Sequence, residues 1–458
     1  MRYILMTSPL NISTNSPHYL SGAAGNTPLR WRKLALLLSG HALFLVAVYS
    51  VLYTLGILDY APASDTIIRW DAGWFNSIRL HGYDYVPNGQ SNVPFFPLFP
   101  YLWRLLHLDG TGISLINFGL LLLGMAWLGR TFALRSGQIL VLLSVPSLFI
   151  CLVPYAEALF FLFGAVLLRG LHRQNLGLTL LGLLGCCLSR SAATLFLPAF
   201  VLAELLACTS RAMLPQLALR LGTGLLTIAA ALGIVMFLHY QATGDPLIFF
   251  AAHENWGHKI KWQLHPQLFS SAGLVVLWLD AVALLAGLVA ALACLSLGIR
   301  WVWQWFQQGP APTVPSRALT FSLGYVLAAI CFILLYQADN TVGSSRYVLA
   351  TPFWGVLLAQ LPRWSQLPSA TKWRTVGLVA GLILVVAAWF GWPSQFPGFL
   401  PAQAHWLLLL WVAYLAAYVL AAAQTWRYSR EVRTVLYVVN VVYQAFLLNL
   451  FLGKVWLG

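Results

Sequence analysis

Charged residues are scarce in this sequence, and their scarcity excludes a soluble globular protein. Asp, Glu, Lys and Arg together make up 8% of the 458 residues, while 60% are hydrophobic. A soluble domain carries about 25% charged residues, because charged side chains keep its surface in water. The chain is therefore predicted to be an integral membrane protein, in which each helical span uses about 20 apolar residues.

Motifs typical of several other classes are also missing. The six cysteines lie within apolar runs without CxxC or Cys/His spacing, which favours small core residues over a metal site. No GxGxxG or Walker pattern occurs between a strand and a helix, and this excludes an ABC-type pump within the chain. The polar start of the chain lacks the regions of a signal peptide, so we expect the first apolar run to remain as a span.

The apolar runs predict an all-α polytopic membrane protein with about 13 transmembrane helices. We expect a cytoplasmic tail at residues 1–33 and a transmembrane domain at residues 34–458, with long outer loops at residues 59–112 and 240–271. The predicted spans are residues 34–58, 113–129, 137–153, 156–169, 175–188, 191–208, 220–239, 272–297, 317–336, 347–361, 375–391, 403–423 and 434–453.

The distribution of charge supports this topology. With the tail in the cytoplasm, 18 of the 26 basic residues fall on the inner side, as the positive-inside rule requires. The net charge of +14 therefore predicts contact with anionic lipid headgroups, not with nucleic acid. Nine of the twelve acidic residues fall on the outer side instead. Because acidic residues contribute little to topology, their bias indicates a polar site at the outer face.

The first outer loop contains the most informative pattern, and weaker elements follow it along the chain. The elements are Arg69-Trp-Asp-Ala-Gly-Trp-Phe75, His81-Gly-Tyr83, Asn92-Val-Pro-Phe-Phe-Pro-Leu-Phe-Pro100, Ser189-Arg190-Ser191, Gly244-Asp-Pro246 and Ser345-Arg346-Tyr347. Their order resembles the PIG-V family of GPI mannosyltransferases and their prokaryotic relatives, which belong to the GT-C glycosyltransferases. The resemblance covers roughly residues 65–360, and Ser345 stands where the family has Pro.

The resemblance implies a membrane hexosyltransferase. Such an enzyme transfers a hexose, mannose by this resemblance, from a polyprenyl- or dolichyl-phosphate sugar with inversion. The acceptor would be a lipid-anchored glycan or another acceptor at the outer or luminal face. The protein would then lie in the cell membrane of a prokaryote or in the ER membrane of a eukaryote. We predict no requirement for a cofactor or a metal ion.

The chemistry of such a transfer needs a base for the acceptor hydroxyl and cations for the phosphate leaving group. Asp71 is the predicted base and Asp65 the second choice; an N-cap of the following amphipathic helix is the other interpretation of Asp71. Arg346 and Arg190 are the predicted phosphate ligands, because Arg presents a planar fork of donors. Snorkelling toward lipid headgroups is the alternative for both.

Further substrate contacts are predicted for Trp70, Trp74, His81 and Glu157. The tryptophans could stack on a sugar or anchor the chain at the interface. Glu157 could face the same cleft as Asp71 or be an interfacial group. The second outer loop contains His253, Glu254 and His258, which indicate a metal site or, more often, a solvated loop. Asp280, inside a predicted span, is interpreted as a neutral or paired structural group.

Two other functions remain open. A transporter or flippase of lipid-linked sugars would share the hydropathy and the outer cations, although the inverted repeats common in transporters are not visible in the sequence. A structural subunit without chemistry would leave the bias of the acidic residues unexplained.

Overall fold

The computed structural model describes residues 27–191, 193–258, 274–307, 316–336, 343–360, 413–418, 420–421 and 427–457, with the single residues 369, 377 and 381. In these ranges the regular structure is entirely helical, which confirms the predicted all-α class. The α-helices whose bounds are defined are α1 (Trp31–Thr54), α2 (Ser64–Ile67), α3 (Asp71–His81), α4 (Leu98–Leu106), α5 (Gly110–Thr131), α6 (Ser136–Leu143), α7 (Glu157–Arg173), α8 (Leu176–Ser189), α9 (Ala193–Ala207), α10 (Leu214–Thr243), α11 (Ile248–Asn255), α12 (Leu274–Gln307), α13 (Arg317–Tyr336), α14 (Ser344–Val348), α15 (Pro352–Leu358) and α16 (Ser429–Leu452).

Helices long and apolar enough to cross a bilayer confirm a membrane-embedded protein. Among the described residues there are six of them: Trp31–Thr54, Gly110–Thr131, Arg211–Thr243, Val282–Trp303, Arg317–Tyr336 and Ser429–Leu452. A seventh span results if the 3-10 helix Pro146–Leu152 and α7 are counted together, although a bend of 109° separates them. The predicted number of about 13 spans is not confirmed by these ranges.

The differences have local causes. The predicted span at residues 137–153 is interrupted after α6, where Pro146 begins a 3-10 helix. The predicted span at residues 347–361 is divided into α14 and α15, because Pro352 starts a new helix that the side chain of Thr351 caps. The predicted span at residues 375–391 lies almost wholly outside the described residues, and so do most of the predicted tail and more than half of the predicted span at residues 403–423.

The two antiparallel helices α7 and α8 form a tightly packed hairpin. Gln174 turns the chain between them with a left-handed φ of 55°. A Cβ atom added to Gly182 would lie 2.5 Å from the Cα atom of Leu167, so the two backbones approach closely. The hairpin brings the first residue of α7, Glu157, beside the residue that follows α8, Arg190.

The first outer loop is tied down by polar contacts to neighbouring helices. Asn449 of α16 accepts hydrogen bonds from the backbone N–H groups of Asp59 and Tyr60, each at 3.0 Å. Arg104 of α4 donates to the last carbonyl groups of α3, at Ile78 and Arg79. Arg79 and Arg104, two basic residues of the predicted first outer loop, therefore donate hydrogen bonds to backbone carbonyls within this loop.

Candidate functional site

Four charged side chains from separate parts of the sequence meet at one end of the helical bundle. The Arg346 guanidinium contacts Asp71 through Nη1 at 2.6 Å and Glu157 through Nε. Arg190 lies 3.1 Å from the same oxygen of Glu157. The Glu157 side chain is 1% exposed, and both guanidinium groups contact the same oxygen of its carboxylate. The cluster thus pairs two carboxylates with two arginines, as buried charges require.

Asp71 is the first residue of α3, and both its backbone N–H group and its carboxylate have partners. Its N–H group donates to the Tyr155 hydroxyl at 3.2 Å, and its carboxylate contacts Arg346. The preceding residue, Trp70, has φ 51° and ψ −123°, which is an uncommon conformation for a bulky side chain. Such conformations cost about 1–3 kcal/mol and tend to cluster at functional sites. The strained conformation of Trp70 lies where both Trp70 and Asp71 line a cavity, which is described below.

The chain between the 3-10 helix Pro146–Leu152 and α7 contains Tyr155, which contacts Arg346, and it leads directly into Glu157. The Tyr155 ring lies 4.8 Å beneath the Arg346 guanidinium, at a distance typical of a cation–π contact. The side chain of Asn117 donates to the carbonyls of Val153 at 2.7 Å and of Tyr155 at 2.9 Å. It thereby satisfies backbone carbonyls at a break that no regular helix pairs, as buried backbone groups require.

Arg346 is held by the short helix α14, which is anchored from α12 and α13. Asp280 accepts a hydrogen bond from the Ser345 N–H group at 2.8 Å. The hydroxyl of Tyr325 donates to the Tyr347 carbonyl at 3.0 Å. Asp280 is buried, and its contact with the start of α14 agrees with the interpretation of this residue as a structural group.

The electrostatic environment keeps Arg346 protonated. Burial disfavours the charged form, but the carboxylates of Glu157 and Asp71 outweigh burial and hold the pKa of Arg346 above its ordinary range. Arg190 is supported differently, since its guanidinium lies 4.5 Å over the Tyr347 ring. Apart from its approach to Glu157, the buried Nη1 atom of Arg190 has no hydrogen-bond partner among the described residues, and Arg190 lines the cavity described next.

These charges line a cavity of about 590 Å³, within the range of about 300–1,000 Å³ typical of small-molecule sites. Its walls join the two outer loops, since Trp74 makes edge contact with Trp256 at 5.4 Å and the Trp256 indole donates to the Ser91 carbonyl at 3.1 Å. The lining residues are Trp70, Asp71, Trp74, Phe75, Gln90, Pro94, Phe95, Phe96, Ala156, Ser189, Arg190, Ser191, His253, Trp256, Gly257, His258, Gly343, Arg346, Tyr347 and Trp456.

The structure brings together most of the residues that the sequence singled out. Asp71, Arg190, Arg346, Trp70 and Trp74 all line the cavity. Glu157 contacts both arginines but is not part of the lining, so it is placed to position them and not to touch a ligand.

Other sequence candidates lie elsewhere. His81 is exposed at the end of α3, and Asp65 is exposed in α2; neither lines the cavity. Glu254 is exposed on α11 and does not line the cavity either, although His253 and His258 do. Lys259 and Lys261 of the predicted second outer loop, and Asp339 between the predicted spans 317–336 and 347–361, fall outside the described residues.

Several residues of the site were not predicted from the sequence. Tyr155 and Tyr347 support the guanidinium groups, and Trp456 reaches the cavity from the segment after α16. Tyr155 stands two residues before Glu157, and Tyr347 belongs to the Ser345-Arg346-Tyr347 element, so each tyrosine had a signal in the sequence although neither was assigned to the site.

Comparisons of the chain with protein-family models, with curated proteins and with solved structures found no match in any of the three.

Proposed function

We propose that this chain is a GT-C-type membrane hexosyltransferase that takes its sugar from a polyprenyl- or dolichyl-phosphate donor. The observation that supports this function is the contact of Asp71 with Arg346 at the wall of an aromatic-lined cavity, with Arg190 beside it. A carboxylate next to two guanidinium groups matches the needs of the reaction, which are one base and cations for a phosphate. The resemblance of the first outer loop to the PIG-V family supports mannose as the sugar.

The donor phosphate binds at the two arginines. Arg presents donors in a fork that fits phosphate oxygens, and a lipid phosphate gains negative charge as the sugar leaves it. Arg190 contributes a cation that lines the cavity, and Arg346 contributes a charge fixed by Glu157 from behind. Both arginines thereby stabilise the leaving group in the transition state.

Asp71 acts as the base. The acceptor hydroxyl oxygen forms a bond to the anomeric carbon of the donor while the bond from that carbon to the phosphate oxygen breaks. The proton of the hydroxyl passes to the Asp71 carboxylate, and the bonding electrons leave with the lipid phosphate. A single displacement of this kind inverts the configuration of the sugar. Arg346 touches both the phosphate and Asp71, so the leaving group and the base share one fixed partner.

The surroundings of the cavity suit a substrate that arrives from a bilayer. Trp70 and Trp456 line the cavity and remain 42% and 46% exposed. Aromatic side chains of this kind favour the headgroup region. We propose a multi-pass topology in which this end of the bundle faces the outside of a cell membrane, or the lumen of the ER.

The direct test is sugar transfer by the purified protein in lipid nanodiscs. A panel of polyprenyl-phospho-hexoses with a radiolabelled sugar is offered together with a lipid-anchored glycan acceptor. We expect label to appear on the acceptor with one member of the panel. Movement of the same lipids across a vesicle membrane, without transfer from any donor, would favour the flippase and contradict the glycosyltransferase.

A further inference from the structure

Two histidines of the second outer loop line the cavity, and the mechanism above does not use them. His253 lies in the last turn of α11 and His258 follows the helix, with their ring centroids 5.5 Å apart. Both ring nitrogens of His253 are buried and have no hydrogen-bond partner among the described residues. A buried polar atom that has lost its water without gaining a partner points to a ligand at that position.

The local backbone places the two imidazoles side by side. Gly257 has a left-handed φ of 80°, which ends α11 and turns the chain back. The Gly257 N–H group donates to the Glu254 carbonyl at 2.9 Å, and the His258 N–H group donates to the His253 carbonyl at 3.1 Å. This pair of bonds is the Schellman motif, which brings the residue after the turn onto the last turn of the helix.

The surroundings of the pair keep both imidazoles neutral. Burial, with a smaller contribution from His258, lowers the pKa of His253 to about 4, and burial also lowers the pKa of His258. A neutral imidazole has one donor and one acceptor nitrogen. The described residues provide no group of three His, Cys, Asp or Glu side chains that could hold a metal ion. The pair therefore suits a neutral ligand that carries both donors and acceptors.

We propose that His253 and His258 hydrogen-bond the hydroxyl groups of the donor hexose, while Trp74 and Trp256 supply an apolar wall for its ring. This inference rests on the function proposed above. A hexose carries hydroxyl groups at its edge and C–H groups on its faces, so it needs neutral polar partners beside aromatic ones. The sugar is joined directly to the phosphate, and the arginines that would hold the phosphate line the same cavity as the histidines.

Binding of two probes separates sugar recognition from phosphate recognition. A short-chain polyprenyl phosphate and the corresponding polyprenyl-phospho-mannose are titrated into wild type, His253→Phe and His258→Phe in nanodiscs, without acceptor. Phe keeps a ring against Phe249 and Tyr336, which contact His253 at 4.3 and 5.7 Å. His172→Phe, at the end of α7 opposite Glu157, is the matched control.

We expect wild type and the control to bind the phospho-sugar more tightly than the bare phosphate. Each cavity variant should bind the bare phosphate as wild type does, but the phospho-sugar roughly threefold to tenfold more weakly, as the loss of one or two neutral hydrogen bonds predicts. In His253→Gln the amide still donates and accepts hydrogen bonds, so this variant should recover part of the preference for the phospho-sugar over the bare phosphate. It also provides a test of His253 if His253→Phe does not fold.

Three results would overturn the inference: no preference for the phospho-sugar in wild type, an unchanged preference in both Phe variants, or equal weakening of both probes. If the histidine-dependent preference is present but wild type transfers no sugar to any acceptor, the proposed transferase is wrong while the sugar subsite stands.

Discussion

At the scale of single residues, Arg346 organises the site. Its guanidinium joins a carboxylate from the first outer loop, Asp71, to a carboxylate at the start of α7, Glu157. These two contacts leave from different nitrogens of one planar group. A lysine ammonium is a point charge without this fork and cannot reproduce both contacts in the same geometry.

We therefore predict that Arg346→Lys lowers the rate of sugar transfer by about 10²-fold, the size of effect seen when one donor to a developing charge is lost. The protein should still fold and enter the membrane, because the charge between the carboxylates is kept. Transfer rate and expression are measured beside Arg211→Lys, an exposed arginine on the predicted inner side. A rate within twofold of wild type would contradict a role of Arg346 in the reaction.

The charged members of the cluster could be predicted from the sequence, whereas their aromatic partners could not. A charge is costly in an apolar environment, so each of the few acids and outer arginines carried information. Aromatic residues make up 14% of the chain, and neither Tyr155 nor Trp456 stands out among them. His253 and His258 were visible as a cluster, but their neutral state depends on burial by residues far away in sequence.

At the scale of elements, the hairpin of α7 and α8 delivers Glu157 and Arg190 to the same point. This arrangement depends on small residues at the contact between the helices. A Cβ atom at Gly182 would lie 2.5 Å from the backbone of Leu167, so the helices would have to separate. At Gly177 of the same helix, an added Cβ atom would meet only the Asn175 side chain, at an ordinary 3.5 Å.

Gly182→Ala is expected to reduce the free energy of unfolding by about 1–3 kcal/mol, as overpacking usually does. Its melting temperature should fall below that of wild type in the same detergent. Gly177→Ala should be neutral or slightly stabilising, because Ala is the better helix former. Equal melting temperatures for the two variants would mean that the close approach of α7 and α8 is not needed.

The elements also show why the number of spans was hard to predict. Hydropathy predicted the bounds of α13, and it missed those of α5 by up to about three residues and those of α10 and α16 by up to about six. It placed a break between residues 153 and 156 but not the bend of 109° found there, where the Asn117 side chain donates to the carbonyls of Val153 and Tyr155. Short helices such as α8, α14 and α15 are buried by their neighbours and need not cross the bilayer alone.

At the scale of the whole molecule, the two outer loops form one surface. The Trp256 indole donates to the Ser91 carbonyl, and the rings of Trp74, Phe95 and Trp256 contact one another. The loops therefore lie on the same face of the bundle. The positive-inside rule independently predicts that this face is the outer one.

Labelling of single cysteines tests this topology. In a Cys331→Ala background, which removes the exposed native cysteine, a membrane-impermeant maleimide should label Asp84→Cys and Asn255→Cys in intact cells or sealed microsomes of known orientation. Arg173→Cys and Arg430→Cys should react only after permeabilisation. Opposite accessibility of positions 84 and 255 would contradict a single outward-facing site.

Asp71 is the proposed base of the sugar transfer. Its carboxylate contacts Arg346, and the N-cap position of α3 is held by Trp70 while Asp71 is the first helical residue, so the interpretation of Asp71 as the N-cap lacks support. Asp65, the other candidate, is exposed in α2 and lies outside the cavity lining. The pair Asp71→Asn and Asp65→Asn therefore tests one function with the same chemical change at two places.

The decisive measurement is the single-turnover rate of sugar transfer by these two variants and wild type, at saturating phospho-sugar. Asn keeps the size of Asp and can still cap a helix, but it cannot take the proton of the acceptor. We expect Asp71→Asn to bind polyprenyl phosphate normally and to transfer at least about 10²-fold more slowly, while Asp65→Asn keeps the wild-type rate. A wild-type rate in Asp71→Asn together with an inactive Asp65→Asn would move the base to Asp65. Wild-type rates in both variants would contradict the mechanism.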